Sequence, residues 1–181
     1  PFDEQADGFI RSEGVISVLL KPLAQAQADG DYIYASITGS ATNHSGKGYS
    51  PTSPSAEPQA EVMTKAYRKA GVTSADIAHI EAHATSTSIG DTVELNAFKK
   101  AIHTLQAGSP VSATCAVGSV KSNVGHLEAA AGMASLLKSI GILQHAQIPA
   151  TLGITQVNQQ IDLQGSGLHL AQQAAPLNQG Q

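Results

Sequence analysis

The chain has no tryptophan, a single cysteine and only 4% aromatic residues among its 181 residues. One cysteine cannot form a disulfide within the chain, and such cysteine usage is typical of a reducing compartment. No apolar run approaches the ~20 residues that span a bilayer, and the sequence predicts no signal peptide. These absences disfavour a disulfide-rich secreted domain or a membrane protein, and they predict a cytoplasmic protein.

Charged residues are also scarce, at 13%, and the net charge is −4. The ten Lys and Arg residues are scattered along the chain, so the sequence predicts no basic surface for nucleic acid. Apolar residues make up 41% and are mostly aliphatic. That composition suits close-packed layers of helix and sheet, and the length fits one domain or part of a larger one.

Strand-like and helix-like segments alternate along the chain, which predicts the α/β fold class. The predicted strands are the runs GVISVLL (14–20), DYIYASITGSA (31–41), IAHIEAH (77–83) and VGSVKS (117–122). The predicted helices are a short one that ends at Gly30, one over 57–70 that ends at Gly71, one over 92–104, and one within 123–143. Asp91 is predicted to cap the third of these helices, with Glu94 completing a capping box. A Gly-, Pro- and Ser-rich loop occupies 43–58, and no periodic segment is predicted after residue 143.

Two of the seven histidines occupy positions that favour chemistry. His83 ends a predicted strand and His126 begins a predicted helix, both among glycines and small polar residues. Loops after strands are where open α/β sheets place their ligands, and two imidazole donors there could stabilise an oxyanion or enolate. Two helix-capping histidines without chemistry fit the same spacing, so the residues alone leave both interpretations open.

Other kinds of site are less well supported by the residues. His79, His83 and His126 could form a metal triad, but no zinc-type spacing and no accompanying carboxylate support it, so no metal site is predicted. The run GSVKSNVGH is neither a Walker loop nor a dinucleotide fingerprint. Cys115 lies in an apolar, strand-like context, which is typical of an inert thiol.

Three segments, in order along the chain, carry a resemblance to a known family. They are the opening stretch from FDEQADGFIRSEG to NHSGKGYS, then EAHATSTSIGDTVELNA, then GSVKSNVGHLEAAAGMASLLK. Together they resemble the second half of β-ketoacyl synthase domains, most closely those of modular polyketide synthases, from Phe2 to about Leu163. The resemblance implies a thiolase-like fold, of which the chain holds the second βαβαβ half with its layered sheet and helices. Residues 1–181 would then be the C-terminal portion of a ketosynthase domain, without the catalytic-cysteine half and the final Gly/Phe-rich segment.

The same resemblance implies roles for individual residues. His83 and His126 match the two catalytic histidines that flank a cysteine nucleophile in the family. Thr85 and Thr87 match hydroxyls that bind the phosphopantetheine arm of an acyl carrier protein. A charged pair near the second histidine supports it, and its matching positions are Lys121 and Glu128. No cofactor is bound directly, since the phosphopantetheine arm arrives with the carrier.

The implied reaction is a decarboxylative Claisen-type condensation, in which a malonyl-type extender on the carrier joins a cysteine-bound acyl chain in polyketide biosynthesis. The implied partners are an acyl carrier protein, the remaining half of the domain and, in the full-length parent, a second copy in a homodimer. A non-condensing module for acyl transfer or carrier binding stays open as an alternative. A degradative thiolase is disfavoured because its histidine motif differs.

Two departures from the family pattern bear on the site. Ala84 stands where the family usually has glycine, so a positive φ at this position would strain the loop that carries His83. The loop over 47–53 also looks shorter than is usual in the family.

Overall fold

The computed structural model describes residues 1–46, 54–106 and 114–177. Within these ranges a parallel sheet of three strands has the order β1 (His79–Glu81), β2 (Cys115–Gly118) and β4 (Leu168–Leu170). Two shorter strands, β3 (Gln147–Ile148) and β5 (Ala175–Pro176), form an antiparallel pair. Because β1 and β2 run in the same direction, their carboxyl ends meet at one edge of the sheet.

Five α-helices lie in the described ranges: α1 (Leu23–Ala28), α2 (Ala56–Ala70), α3 (Ser88–Leu105), α4 (Lys121–Val124) and α5 (Ala131–His145). Short 3₁₀ turns cover Ser74–Asp76 and Glu128–Ala130. Helix α2 ends as expected, because Gly71 takes the left-handed conformation with φ 70° and its N–H bonds back to the last turn. No helix among the described residues is long and apolar enough to cross a membrane.

The main core lies where α3 packs against the sheet. Leu95 and Phe98 of α3 meet Ile80 of β1 and Val117 of β2, and all four side chains are buried. Alanines at one face of α3, Ala97 and Ala101, let α2 approach closely. The two layers therefore hold the carboxyl ends of β1 and β2 in fixed positions.

The predicted strands at 14–20 and 31–41 are wrong for this structure, since both segments are extended without a strand partner. A strand exists only when a neighbour completes its backbone hydrogen bonds, and no described segment pairs with either run. Their apolar side chains are consequently exposed: Val15 is 96% and Leu19 is 97% accessible. The β-type composition of these two runs is therefore not sufficient to make them strands.

Other predicted boundaries shift for local reasons. Helix α3 begins at Ser88, so Asp91 lies inside the first turn rather than at the cap, and its carboxylate accepts N–H bonds from Phe2 and Ser86. The predicted strand 117–122 ends at Gly118, where the chain turns into α4. Strand β4, which carries no periodic pattern, was not predicted. The expected short loop at 47–53 lies outside the described residues.

Candidate active site

Two loops that leave neighbouring parallel strands bring the two predicted catalytic histidines together. His83 follows β1, and His126 follows β2 and α4. Their ring centroids are 5.3 Å apart and the ring planes are nearly perpendicular, at 89°. Forty-three positions along the chain separate them, so tertiary structure brings the rings into contact: the parallel strands, and the opening segment, which bridges Asp7 to Thr87 and Arg11 to His126.

The surroundings of His126 fix which ring nitrogen carries the proton. Its backbone N–H donates to the carbonyl of Ile10 at 2.9 Å, and the N–H of Glu128 donates to its Nδ1 at 2.9 Å. Because Nδ1 accepts a hydrogen bond, the neutral ring must hold its proton on Nε2. The ring of Phe9 packs against the imidazole with centroids 4.7 Å apart. His126 is therefore an oriented Nε2–H donor.

A carboxylate of α3 holds the loop that carries His83. Glu94 Oε1 accepts the N–H of His83 at 2.7 Å, and Oε2 accepts the N–H of Ala84 at 2.8 Å. Partial burial, then the nearby charges of Lys121 and His126, lower the pKa of His83 below its usual value. His83 is therefore neutral at physiological pH, which suits a hydrogen-bond donor rather than a fixed cation.

Buried carboxylates also hold the first residues of the chain against this loop. Asp91 Oδ2 accepts the N–H of Phe2 at 2.8 Å and Oδ1 accepts that of Ser86 at 3.1 Å. Burial raises the pKa of Asp91 and of Glu94, although the same N–H bonds oppose the rise. Two acids under one loop thus accept four backbone N–H groups, and they fix its path.

The backbone at Ala84 has the strained conformation that was expected there. Its φ is 39° and the residue is only 1% exposed, so a left-handed conformation is held inside the core. An L-residue with a Cβ meets its own carbonyl in this region, at a cost of about 1–2 kcal/mol. The two bonds from the loop to Glu94 offset that cost.

The hydroxyls of Thr85 and Thr87 lie together on the rim of a cavity. Their Oγ1 atoms are 3.4 Å apart, and a Cβ on Gly90 would collide with Thr87 Oγ1, so glycine is needed at that position. The cavity has a volume of about 710 Å³. Its lining includes His83, both threonines and the apolar side chains of Met63, Ile89 and Phe98. The cavity therefore offers hydroxyls at its rim and an apolar wall beside a histidine.

The expected pairing of Lys121 with Glu128 is wrong. Glu128 accepts a bond from Arg11 Nε at 2.8 Å at the surface, because the backbone turns at Glu128 with φ 52° and directs the side chain outward. Lys121 is buried, and among the described residues its Nζ has no hydrogen-bond partner. Burial lowers its pKa, while the charges of Glu94, Glu81 and Asp91 oppose this in that order. Glu94 and Asp91 of α3 and Glu81 of β1 are therefore its electrostatic partners.

The remaining candidates from the sequence take no part in this arrangement. Cys115 is buried in β2, where burial raises the pKa of its thiol to about 12. His79 is buried beside Glu81, with its Nε2 3.1 Å from Glu81 Oε2. In the described part of the chain, no group of three or more His, Cys, Asp or Glu side chains is arranged to hold a metal ion.

Sequence reasoning missed the acids that hold the site. Glu94 was assigned to a helix cap, and Asp91 to the cap position itself. The available signal was their spacing, because two acids three residues apart at the start of a buried helix lie on its first turns near the preceding loop. That spacing did not show which backbone groups they would accept.

Comparisons with known proteins show the family to which the chain belongs. The family profile "Beta-ketoacyl synthase, C-terminal domain" matches residues 34–155. A polyketide synthase of Burkholderia thailandensis, ThaG, is 41% identical over 179 residues, which cover 97% of this chain and 3% of the relative. Mellein synthase of Phaeosphaeria nodorum is 40% identical over 173 residues, which cover 96% of this chain and 10% of the relative.

Solved ketosynthase domains share the fold. The oxazolomycin ketosynthase domain of Streptomyces albus superposes with a TM-score of 0.92 at 36% identity, over 98% of this chain and 31% of that chain. The ketosynthase from module 6 of the bacillaene synthase of Bacillus subtilis gives 0.92 at 35%, over 99% and 32%. The expected α/β, thiolase-like fold is confirmed, and the chain spans about a third of those structures. This chain therefore belongs to the β-ketoacyl synthase family and carries its C-terminal domain.

Proposed function

We propose that this chain is the C-terminal portion, residues 1–181, of a condensing ketosynthase domain in a polyketide synthase. The complete domain would transfer a cysteine-bound acyl chain to a malonyl-type extender on an acyl carrier protein. The family membership supports a condensing enzyme in the parent. The histidine pair supports the finer assignment of chemistry.

The chemistry needs hydrogen-bond donors where negative charge develops. When the malonyl group loses carbon dioxide, the electrons of the broken C–C bond form an enolate. Its carbon then attacks the acyl thioester, a C–C bond forms and the cysteine thiolate leaves. Each preorganised donor to such an oxygen contributes about 2.7–4 kcal/mol to the barrier reduction.

The observation that carries the proposal is the geometry of His83 and His126. The rings lie 5.3 Å apart, His126 must present Nε2–H, and the lowered pKa of His83 keeps it neutral. With their rings in edge-to-face contact, the two imidazoles lie close enough to donate to one oxygen. The Glu128 N–H at Nδ1 is also compatible with a capping role for His126, and it directs the ring proton to Nε2, where the imidazole can donate to a reacting oxygen.

The pantetheine arm is assigned to the cavity beside His83. Thr85 and Thr87 would donate to or accept from its amide groups, since both hydroxyls lie on the rim. The apolar wall of Met63, Ile89 and Phe98 would contact its alkyl portions. No directly bound cofactor is required, because the arm belongs to the carrier.

The nucleophile has to come from outside this chain. Cys115 is the single cysteine, and it is buried with a raised pKa. A thiol that does not ionise near neutral pH is a poor nucleophile. The partners proposed for this chain are therefore the remaining half of the domain, which supplies the cysteine, an acyl carrier protein, and a second copy of the full-length parent. Lys121 and Glu128 are proposed as supports of the His126 segment, Glu128 through its pair with Arg11 and Lys121 through the nearby charges of Glu94, Glu81 and Asp91.

The test is His83→Ala in the full-length parent, with His103→Ala as the control, because His103 is an exposed histidine of α3. Intact-mass measurement follows acyl loading of the cysteine, and a product assay follows condensation. We expect His83→Ala to abolish condensation and retain loading, since loading does not form the enolate. His103→Ala should retain both.

Two other outcomes would change the assignment. Loss of loading together with condensation in His83→Ala would refute the assignment of His83 to enolate stabilisation alone. A wild-type parent that loads acyl groups but releases no carbon dioxide from a malonyl carrier would show a non-condensing module for acyl transfer.

A further inference from the structure

A buried ion pair lies directly behind the two histidine loops and is not used by the reaction proposed above. Glu81, the last residue of β1, has its Oε2 2.7 Å from Nζ of Lys138 in α5. The ring of His79 lies on the same carboxylate oxygen at 3.1 Å. The three side chains are only 5% to 10% exposed.

The second oxygen of Glu81 connects the two loops. Glu81 Oε1 accepts the N–H of Val120, which lies between β2 and the segment that carries His126. The backbone ladder of the two strands ends just before this point, with Ala82 N–H bonded to Gly118 O at 2.8 Å. The carboxylate therefore joins the chains where the sheet no longer does.

The sequence leaves space for this arrangement at one position. A Cβ on Gly118 would lie 3.2 Å from Lys138 Nζ, 3.3 Å from His79 Cε1 and 2.9 Å from Thr151 Oγ1. Glycine at the end of β2 thus lets the lysine and the histidine reach Glu81. Lys138 is also a buried cation on a mostly apolar helix, where leucine or alanine would pack at lower cost.

We propose that Glu81 and Lys138 are positioning residues, whose buried ion pair ties Val120 to β1 and thereby sets the separation of His83 and His126. Glu81 lies two residues before His83, and its contacts fix the start of the His126 segment. Lys138 holds the carboxylate in place from α5. The pair acts through the histidines and contacts no substrate.

The proposal rests on the proposed function for its kinetic test, which compares three variants of the full-length parent: Lys138→Met, Glu81→Gln and the double variant. Each single variant buries an unpaired polar group or charge, so a loss of stability alone would not separate positioning from folding. The double variant removes both charges with nearly the same volume. Lys100→Met is the control, because Lys100 is an exposed lysine paired with Glu57 at the surface.

We expect the double variant to regain the melting temperature of the wild type while its kcat for carbon dioxide release stays about 10- to 100-fold low. The KM for the malonyl carrier should change less than about twofold, since ground-state binding is not affected. Lys100→Met should match the wild type in both constants. If the single variants do not fold, the double variant decides, because neither member of the ion pair is left buried without the other.

Recovery of kcat together with stability in the double variant, or a loss that resides in KM, would overturn the positioning role. A crystal structure of the double variant keeps this test independent of activity. The histidine centroids should move from 5.3 Å by about 0.5 Å or more. If the wild-type parent releases no carbon dioxide, the proposed function fails, and an unchanged centroid distance would refute the ion pair's role separately.

Discussion

Replacing Glu94 by alanine removes the carboxylate that holds the His83 loop. Its two oxygens accept the N–H groups of His83 and Ala84 at 2.7 and 2.8 Å. Ala84 has φ 39° and is buried, so the loop holds a strained backbone at the same place. Without the acid, the strain remains and the bonds that offset it are lost.

The expected cost differs for the two N–H groups. Ala84 is 1% exposed, so its N–H becomes a buried donor without a partner, at about 1–3 kcal/mol. His83 is exposed, so water can satisfy its N–H and the cost there is smaller. The substitution also removes a carboxylate whose burial is unfavourable, since desolvation raises the pKa of Glu94. This gain offsets part of the cost of the two lost hydrogen bonds. We expect Glu94→Ala to lower the local opening free energy by about 2 kcal/mol.

The measurement is amide hydrogen exchange of the segment around residues 82–87 in the complete ketosynthase domain, beside the condensation rate. Glu61→Ala is the control, because Glu61 is an exposed acid on α2 where the change should stay within about 0.5 kcal/mol. Condensation should fall about 10- to 100-fold, since His83 is no longer held in place. If the opening free energy from hydrogen exchange stays within about 0.5 kcal/mol of the wild-type value and the condensation rate is unchanged, Glu94 does not hold the loop.

Three further predictions concern backbone strain, pH and exposed surface. Ala84→Gly should change the unfolding free energy by less than about 1 kcal/mol, because relief of left-handed strain offsets the lost methyl burial and the added chain entropy. The control is Ala97→Gly, because Ala97 is equally buried but lies in the regular helix α3. Its unfolding free energy, measured in urea, should fall by at least ~1 kcal/mol more than that of Ala84→Gly. Equal falls would show that the backbone at Ala84 is not strained. Because folding lowers the pKa of His83, its neutral form adds stability above about pH 6.5, and this stability is lost as the pH falls through the folded pKa. The melting temperature of the wild type should therefore fall more between about pH 7.5 and 5 than that of His83→Asn. Equal falls in the two proteins would contradict this. The isolated chain should bind a dye for apolar surface and elute broadly in size exclusion, because Val15 and Leu19 are almost fully exposed, and a sharp monomer peak without dye binding would refute it.

The sequence by itself was sufficient for the local features of this protein. Helix α2 and its stop at Gly71 follow from periodicity and from glycine in the left-handed region. The positions of His83 and His126 at the ends of ordered segments could also be predicted, since strand ends and small polar loops are visible in one stretch of chain. Ala84 could be singled out only through the family resemblance, because it stands where the family usually has glycine.

The tertiary structure decided every feature that depends on a distant partner. The sequence predicted that Glu94 caps its own helix, but its carboxylate accepts the N–H groups of His83 and Ala84. An acid at a helix start can accept from any donor that the fold brings near, and the sequence does not specify which one. Glu128 pairs with Arg11, 117 positions away, rather than with Lys121. The runs 14–20 and 31–41 have strand-forming side chains but no strand, since hydrogen bonds between strands are made by a second segment of backbone that sequence patterns do not specify.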